Sequence, residues 1–162
     1  MSLLAGIGDT PLVELTKLPA KGGAHVLVKL ESRNPSGSSK DRSALSMVED
    51  AEAKGLLGPG IRLVEASGGS TGTALAMICA VRGYPCTIVT SDAFADEKLK
   101  SMRAFGATLD IVPSIHGKAT YPELFVEMHA RVAALGRLPG HHYLHQMANP
   151  ANPRAYERMG AE

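Results

Sequence analysis

The sequence predicts an α/β fold: a parallel sheet with helices on both faces, three-layered and Rossmann-like. Strand-like and helix-like segments alternate with short connections, the pattern expected of parallel strands crossed over by helices. "IRLVEA" (Ile61 to Ala66) reads as a buried strand, and the helix after it, "TALAMICAVRG", is apolar nearly all round. Such a helix packs on more than one side.

The elements follow in order. "PLVEL" (Pro11 to Leu15) and "HVLVKLE" (His25 to Glu31) are strand-like, separated by the punctuation "KLPAKGG". From Asp41 to Lys54 the apolar residues Ala44, Leu45, Val48 and Ala51 recur at helical spacing, with Ser38 or Ser39 as the cap and Gly55 in the left-handed position after the end. "GPG" (Gly58 to Gly60) is a turn. Beyond the all-apolar helix come the strand "CTIVTS" (Cys86 to Ser91), the helix "ADEKLKSMRAFG" closed by Gly106, and the strand "TLDIVP" (Thr108 to Pro113). A helix from Tyr121 to Leu135 and a short strand "HYLHQM" (His142 to Met147) complete the ordered part, leaving a polar, Pro/Asn-punctuated tail.

The chain's 162 residues, 44% of them hydrophobic, suffice for one substantial core. A net charge of +1 and 4% aromatic residues leave little with which to neutralise phosphates or stack on bases, so nucleic acid is not expected as a partner. No segment approaches the roughly 20 apolar residues that span a bilayer, and the N-terminus does not read as a secretion signal. A cytoplasmic protein with no membrane partner is expected. Cys79 and Cys86 match no disulfide framework or zinc spacing and are expected to be free, buried thiols. His141, His142 and His145 lack an acidic or cysteine partner at ligand spacing, so no metal site is expected, and Met77, Met102 and Met128 read as core.

Two loops carry chemistry. Ser67-Gly68-Gly69-Ser70-Thr71-Gly72 joins a strand to a helix, and its glycines allow close backbone approach while N–H groups and hydroxyls face outward as anion donors. An ordinary tight turn with a capping Ser or Thr also accounts for it. A dinucleotide site is a further alternative, with Asp92 at the end of the next strand, although the spacing is not that of the GxGxxG fingerprint. In "NPSGSSKDR" (Asn34 to Arg42), Lys40 sits at a helix N-terminus, where a cation is electrostatically misplaced. Either "KDR" is a solvated charge run, or Lys40 is a partly buried amine kept for Schiff-base chemistry with an aldehyde such as pyridoxal phosphate.

With "IGDTPLVEL", "VKLESRNPSGSSKDRSALSMVEDAEAKGLL", "EASGGSTGTALA", "AFGATLDIV" and "HQMANPANPRAYERMG" in this order, the chain resembles the N-terminal half of the cysteine synthase/cystathionine β-synthase family, fold-type II pyridoxal phosphate enzymes. The resemblance implies that Lys40 is the catalytic residue and bonds the cofactor covalently. It implies that Ser70 stands beside the cofactor where the family has asparagine. Ser67, Gly68, Gly69, Ser70, Thr71 and Gln146 are implied to receive the substrate carboxylate. The implied reaction is β-replacement on an activated serine, such as O-acetylserine plus sulfide giving cysteine, by a homodimer acting on a small amino acid.

By the same resemblance, residues 1–34 hold strands that pair with a second domain. Residues 35–148 form the small lysine-bearing domain, and residues 149–162 begin the connection onward. The family's phosphate-binding loop is expected in a second half that these residues do not reach. A non-catalytic binding or dimerising module of this lineage, or a nucleotide-binding module using Gly68 to Gly72 and Asp92, are the alternatives.

Overall fold

The computed structural model describes residues 2–17, 20 and 22–162; of the punctuation at 17–23, residues 18, 19 and 21 lie outside them. The first two strands, β1 (Leu12–Glu14) and β2 (Leu27–Lys29), pair antiparallel with Val13 opposite Val28. Both are shorter than the apolar runs suggest. Leu12 and Leu27 are more than half exposed, since a two-stranded ribbon has no interior of its own.

The main sheet is parallel, in the order β5-β4-β3-β6. Its strands are β3 (Arg62–Ala66), β4 (Cys86–Ser91), β5 (Thr108–Val112) and β6 (His141–Tyr143). Successive residues face opposite layers, as the pleat requires. Leu63 and Ile88 enter one core with Met47, Leu75, Met77, Ile78 and Met102. Val64 and Val89 enter a second core with Val112, Leu124, Met128 and Val132. The first core lies under α1 (Lys40–Ala53), α2 (Ser70–Arg82) and α3 (Asp96–Ala104), the second under α4 (Pro122–Leu135). The expected α/β/α layering is thus present, and Met77, Met102 and Met128 are core residues.

Every residue of α2 from Gly72 to Cys79 is buried, which explains its all-round apolar character. Gly55 and Gly106 take left-handed backbone, φ 67° and 87°, after α1 and α3, where a side chain would be strained. Cys79 and Cys86 are free and buried.

Three further boundaries differ from the sequence reading. First, α2 begins at Ser70, so half of the Gly/Ser loop is helical. The first N–H groups of a helix have no intrahelical acceptor, and small polar residues tolerate that position.

Second, β6 spans His141–Tyr143 and not His142 to Met147. His145 adopts φ 56°, which ends the extended run and places Gln146 in a turn.

Third, the tail is ordered. It forms α5 (Ala151–Arg154) and α6 (Glu157–Ala161), with Ala151 fully buried. Ser46 Oγ on α1 donates to the Ala151 carbonyl at 2.8 Å, and Arg154 pairs with Asp50 at 3.0 Å.

Candidate active site

Helices α1 and α2 run in the same direction. Arg82, at the end of α2, pairs with Glu49 and Glu52 in the second half of α1, and Tyr84 donates to Glu52 at 2.6 Å. Because α2 leaves the carboxyl end of β3, both helices start at that edge of the sheet, where α/β proteins bind ligands. Lys40 and Ser70 are the first residues of α1 and α2, so two positive helix ends share one edge.

The reading of "KDR" as a solvated run fails for two of its three residues. Lys40 is exposed, and not partly buried as expected, whereas Asp41 and Arg42 are buried. Asp41 accepts from the Ser36 N–H at 2.7 Å and from the Ser36 hydroxyl. It therefore folds the Gly/Ser loop back onto α1, and burial raises its carboxyl above the usual range. Neither serine caps through N2 or N3: Ser39 makes no side-chain cap bond, while Ser38 Oγ accepts from the Lys40 N–H at 3.2 Å.

Arg42 points into a charge network that binds the chain's two ends to α1. It meets Glu31 and Glu162, Lys29 also meets Glu162 at 2.7 Å, and Arg158 bonds Asp9. The Arg42 guanidinium is the main reason the Glu31 carboxyl is pulled down to about 2 and the Glu162 carboxyl below the usual range. Asn34 completes this corner, accepting from the Gly8 N–H at 2.9 Å.

The amine of Lys40 donates to Tyr156 Oη at 3.3 Å and lies 5.6 Å from the centroid of that ring. The Gly/Ser loop is held by its own first residue. Ser67 Oγ accepts from the N–H groups of Gly69 at 3.3 Å and Gly72 at 2.9 Å. Its hydroxyl thus turns inward, not outward as expected. Among the described residues, the N–H groups of Ser70 and Thr71 have no protein acceptor. Phe94 covers Gly68 so closely that a Cβ there would overlap its ring.

Gln146 is fixed at three points: its amide Nε2 donates to the Ala66 carbonyl at 2.6 Å, its N–H to Glu65 Oε2 at 3.0 Å, and its carbonyl accepts from Asn152 at 2.8 Å. Ser67, Gly68 and Gln146 line one cleft of about 200 Å³ with Phe125 and Met128. Lys40 is not part of that cleft; it stands at the same edge on the α1 side.

Four contributors escaped the sequence reading: Glu65, Phe94, Tyr156 and the Arg42 network. Glu65 is fully buried, accepts from the Ala66 N–H at 2.9 Å and is pushed up to about 7, chiefly by burial. Its available signal was a carboxylate inside a buried-type strand. Asp92, the residue on which a dinucleotide reading depends, accepts from the Ser114 N–H at 2.7 Å and so organises the loop after β5. Among the described residues, no three His, Cys, Asp or Glu side chains form a group able to hold a metal, and no helix is long and apolar enough to cross a membrane.

An exposed amine and two open N–H groups at one edge suit a ligand carrying both a carbonyl and an anionic group. Comparison with known proteins agrees. Residues 3–162 match the family described as "Pyridoxal-phosphate dependent enzyme". The chain is 43% identical over 157 residues to cysteine synthase B of Escherichia coli, covering 96% of this chain and 50% of that protein. It is 39% identical over 158 residues to cystathionine beta-synthase of Apis mellifera, covering 95% and 30% respectively. The crystal structure of O-ureido-L-serine synthase superposes with a TM-score of 0.84 at 40% identity, over 97% of this chain and 47% of that one. The chain spans about half the length, or less, of these relatives. It belongs to the pyridoxal-phosphate dependent enzyme family, whose members use that cofactor, with the fold-type II architecture of the cysteine synthases and cystathionine β-synthases.

Proposed function

We propose that this chain is the lysine-bearing part of an enzyme that performs β-replacement on an activated serine, such as O-acetylserine with sulfide. The observation that carries the reading is the exposed Lys40 amine at the edge where the Ser70 and Thr71 N–H groups stand open. Residues 35–148 form the catalytic small domain in this reading. Residues 1–34 pair with a further domain, and 149–162 lead to it.

Pyridoxal phosphate, when bound, supplies the electron sink that makes the substrate Cα–H acidic. Lys40 Nζ would hold the cofactor through its carbonyl carbon and, as a free amine, would accept the substrate Cα proton. Ser70 and Thr71 hold the substrate carboxylate on their N–H groups, with the positive end of α2 behind them. Ser67 serves by shaping that loop, and Gly68 and Gly69 by leaving room for the ligand. Gln146 spends one amide hydrogen on Ala66 and keeps the other for the carboxylate. The Ser70 hydroxyl orients the ring more loosely than the longer asparagine it replaces. Departure of the β-substituent and addition of a nucleophile then complete the replacement.

The test is borohydride reduction of the chain with pyridoxal phosphate, followed by peptide mass mapping. Specific labelling of Lys40, abolished in Lys40→Ala, supports the reading, and O-acetylserine plus sulfide is the next assay. Labelling scattered over surface lysines, and unchanged by Lys40→Ala, would sink it. A second reading, a binding or dimerising module without catalysis, draws on the exposed Leu12 and Leu27 of the β1–β2 ribbon. Concentration-dependent self-association without Lys40 labelling would favour it.

A further inference from the structure

We propose that the Tyr156 hydroxyl is a positioning group for Lys40, docking its amine against the tail whenever no carbonyl is bonded to it. The inference rests on the reading of Lys40 as the carbonyl-bonding amine. Among the described residues, Tyr156 Oη is the hydrogen-bond acceptor of Lys40 Nζ, at 3.3 Å. The contact belongs to a directed chain: Tyr156 Oη donates to Ser43 Oγ at 3.4 Å, and Ser43 Oγ donates to the Lys40 carbonyl at 3.2 Å. All three protons point the same way, so the phenol oxygen is committed to accepting from the amine.

The ring adds to the hold, because Nζ lies 5.6 Å from its centroid, within cation–π range. Tyr156 is itself placed by packing. It follows α5, which rests on α1 through the buried Ala151, the Ser46 bond and the Arg154–Asp50 pair. An amine held against Tyr156 must leave these contacts to meet a carbonyl bound elsewhere along this edge. Tyr156 thus gives Lys40 a defined resting place while its amine is unbonded, and its hydroxyl sets how readily the amine engages.

The experiment needs no cofactor. The full chain is treated with trace acetic anhydride, and peptide mapping gives the acetylation of Lys40 relative to Lys100 on α3. Tyr156→Phe is expected to raise that ratio by about threefold to tenfold, and Ser43→Ala, which unties the phenol, by less. An unchanged ratio in Tyr156→Phe with a native circular dichroism spectrum overturns the proposal, as does wild-type Lys40 reacting as fast as Lys100. If the ratio responds but pyridoxal phosphate fails to label wild-type Lys40, the docking role stands and the catalytic reading falls.

Discussion

Arg42 closes its Nε and Nη2 hydrogens on the Glu31 carboxylate at 2.8 and 2.9 Å, from a side chain only 4% exposed. Its Nη1 and Nη2 each donate to Glu162 as well, both at 2.7 Å. Arg42→Met leaves the Glu31 carboxylate with only the neutral donors Thr10 and Asn34, and unpairing a buried charge costs about 3 kcal/mol or more. Urea denaturation should show a loss of that order. Arg42→Met with Glu31→Gln should recover part of it, since the second change removes the stranded charge.

The same network sets an acid limit. A carboxyl held near 2 in the folded chain stabilises it above its free value of about 4.5, and that contribution is lost as pH falls through about 2. Glu31→Gln should therefore lower stability at neutral pH and flatten its decline on acidification, read from urea midpoints across that range.

Glu65 has the opposite sign. Burial pushes its carboxyl up to about 7 from about 4.5, so the folded chain keeps a proton that the unfolded chain releases. Its contribution is fully present below about 4.5 and is lost as pH rises through about 7. Glu65→Gln should remove this part of the pH dependence between those limits. A wild-type profile parallel to that of the variant would refute the assignment.

Gly68 has no room for a side chain on its Phe94 side. Gly68→Ala is expected to cost about 1–3 kcal/mol through overpacking, measured as a lowered thermal midpoint. Phe94→Leu in the same chain should return part of that loss.

Ser67→Ala deprives the Gly69 and Gly72 N–H groups of their acceptor. A loss of about 1–2 kcal/mol follows, and amide hydrogen exchange at Gly72 should accelerate while that of the β4 amides changes only with global stability.

Local signals carried much of the fold. The alternation of strand and helix, the all-round apolar α2 and the glycines closing α1 and α3 are each written within a few neighbouring residues, so their periodicity was readable. The partners of "KDR" are not. Arg42 meets Glu31 eleven positions away and Glu162 at a separation of 120, and no window along the chain distinguishes such a cluster from a solvated one. The tail looked unstructured because its prolines and asparagines suggest turns, whereas its order comes from resting on α1. At the candidate site, glycine and hydroxyl content marked the Ser67 to Gly72 loop, but its inward-turned Ser67 depends on hydrogen bonds that composition does not encode.

The bonds from Arg42 to Glu162 and from Lys40 to Tyr156 bridge 120 and 116 positions. Contacts of that sequence separation close late, because the entropy of so long a loop is lost before they give anything back. The β3–β4–β5 sheet and its helices can assemble from near neighbours, whereas the start of α1 that bears Lys40 waits for residues made more than a hundred positions afterwards. During synthesis the core therefore forms ahead of the surroundings of Lys40, and that lysine's final setting is among the last parts of the molecule to take shape.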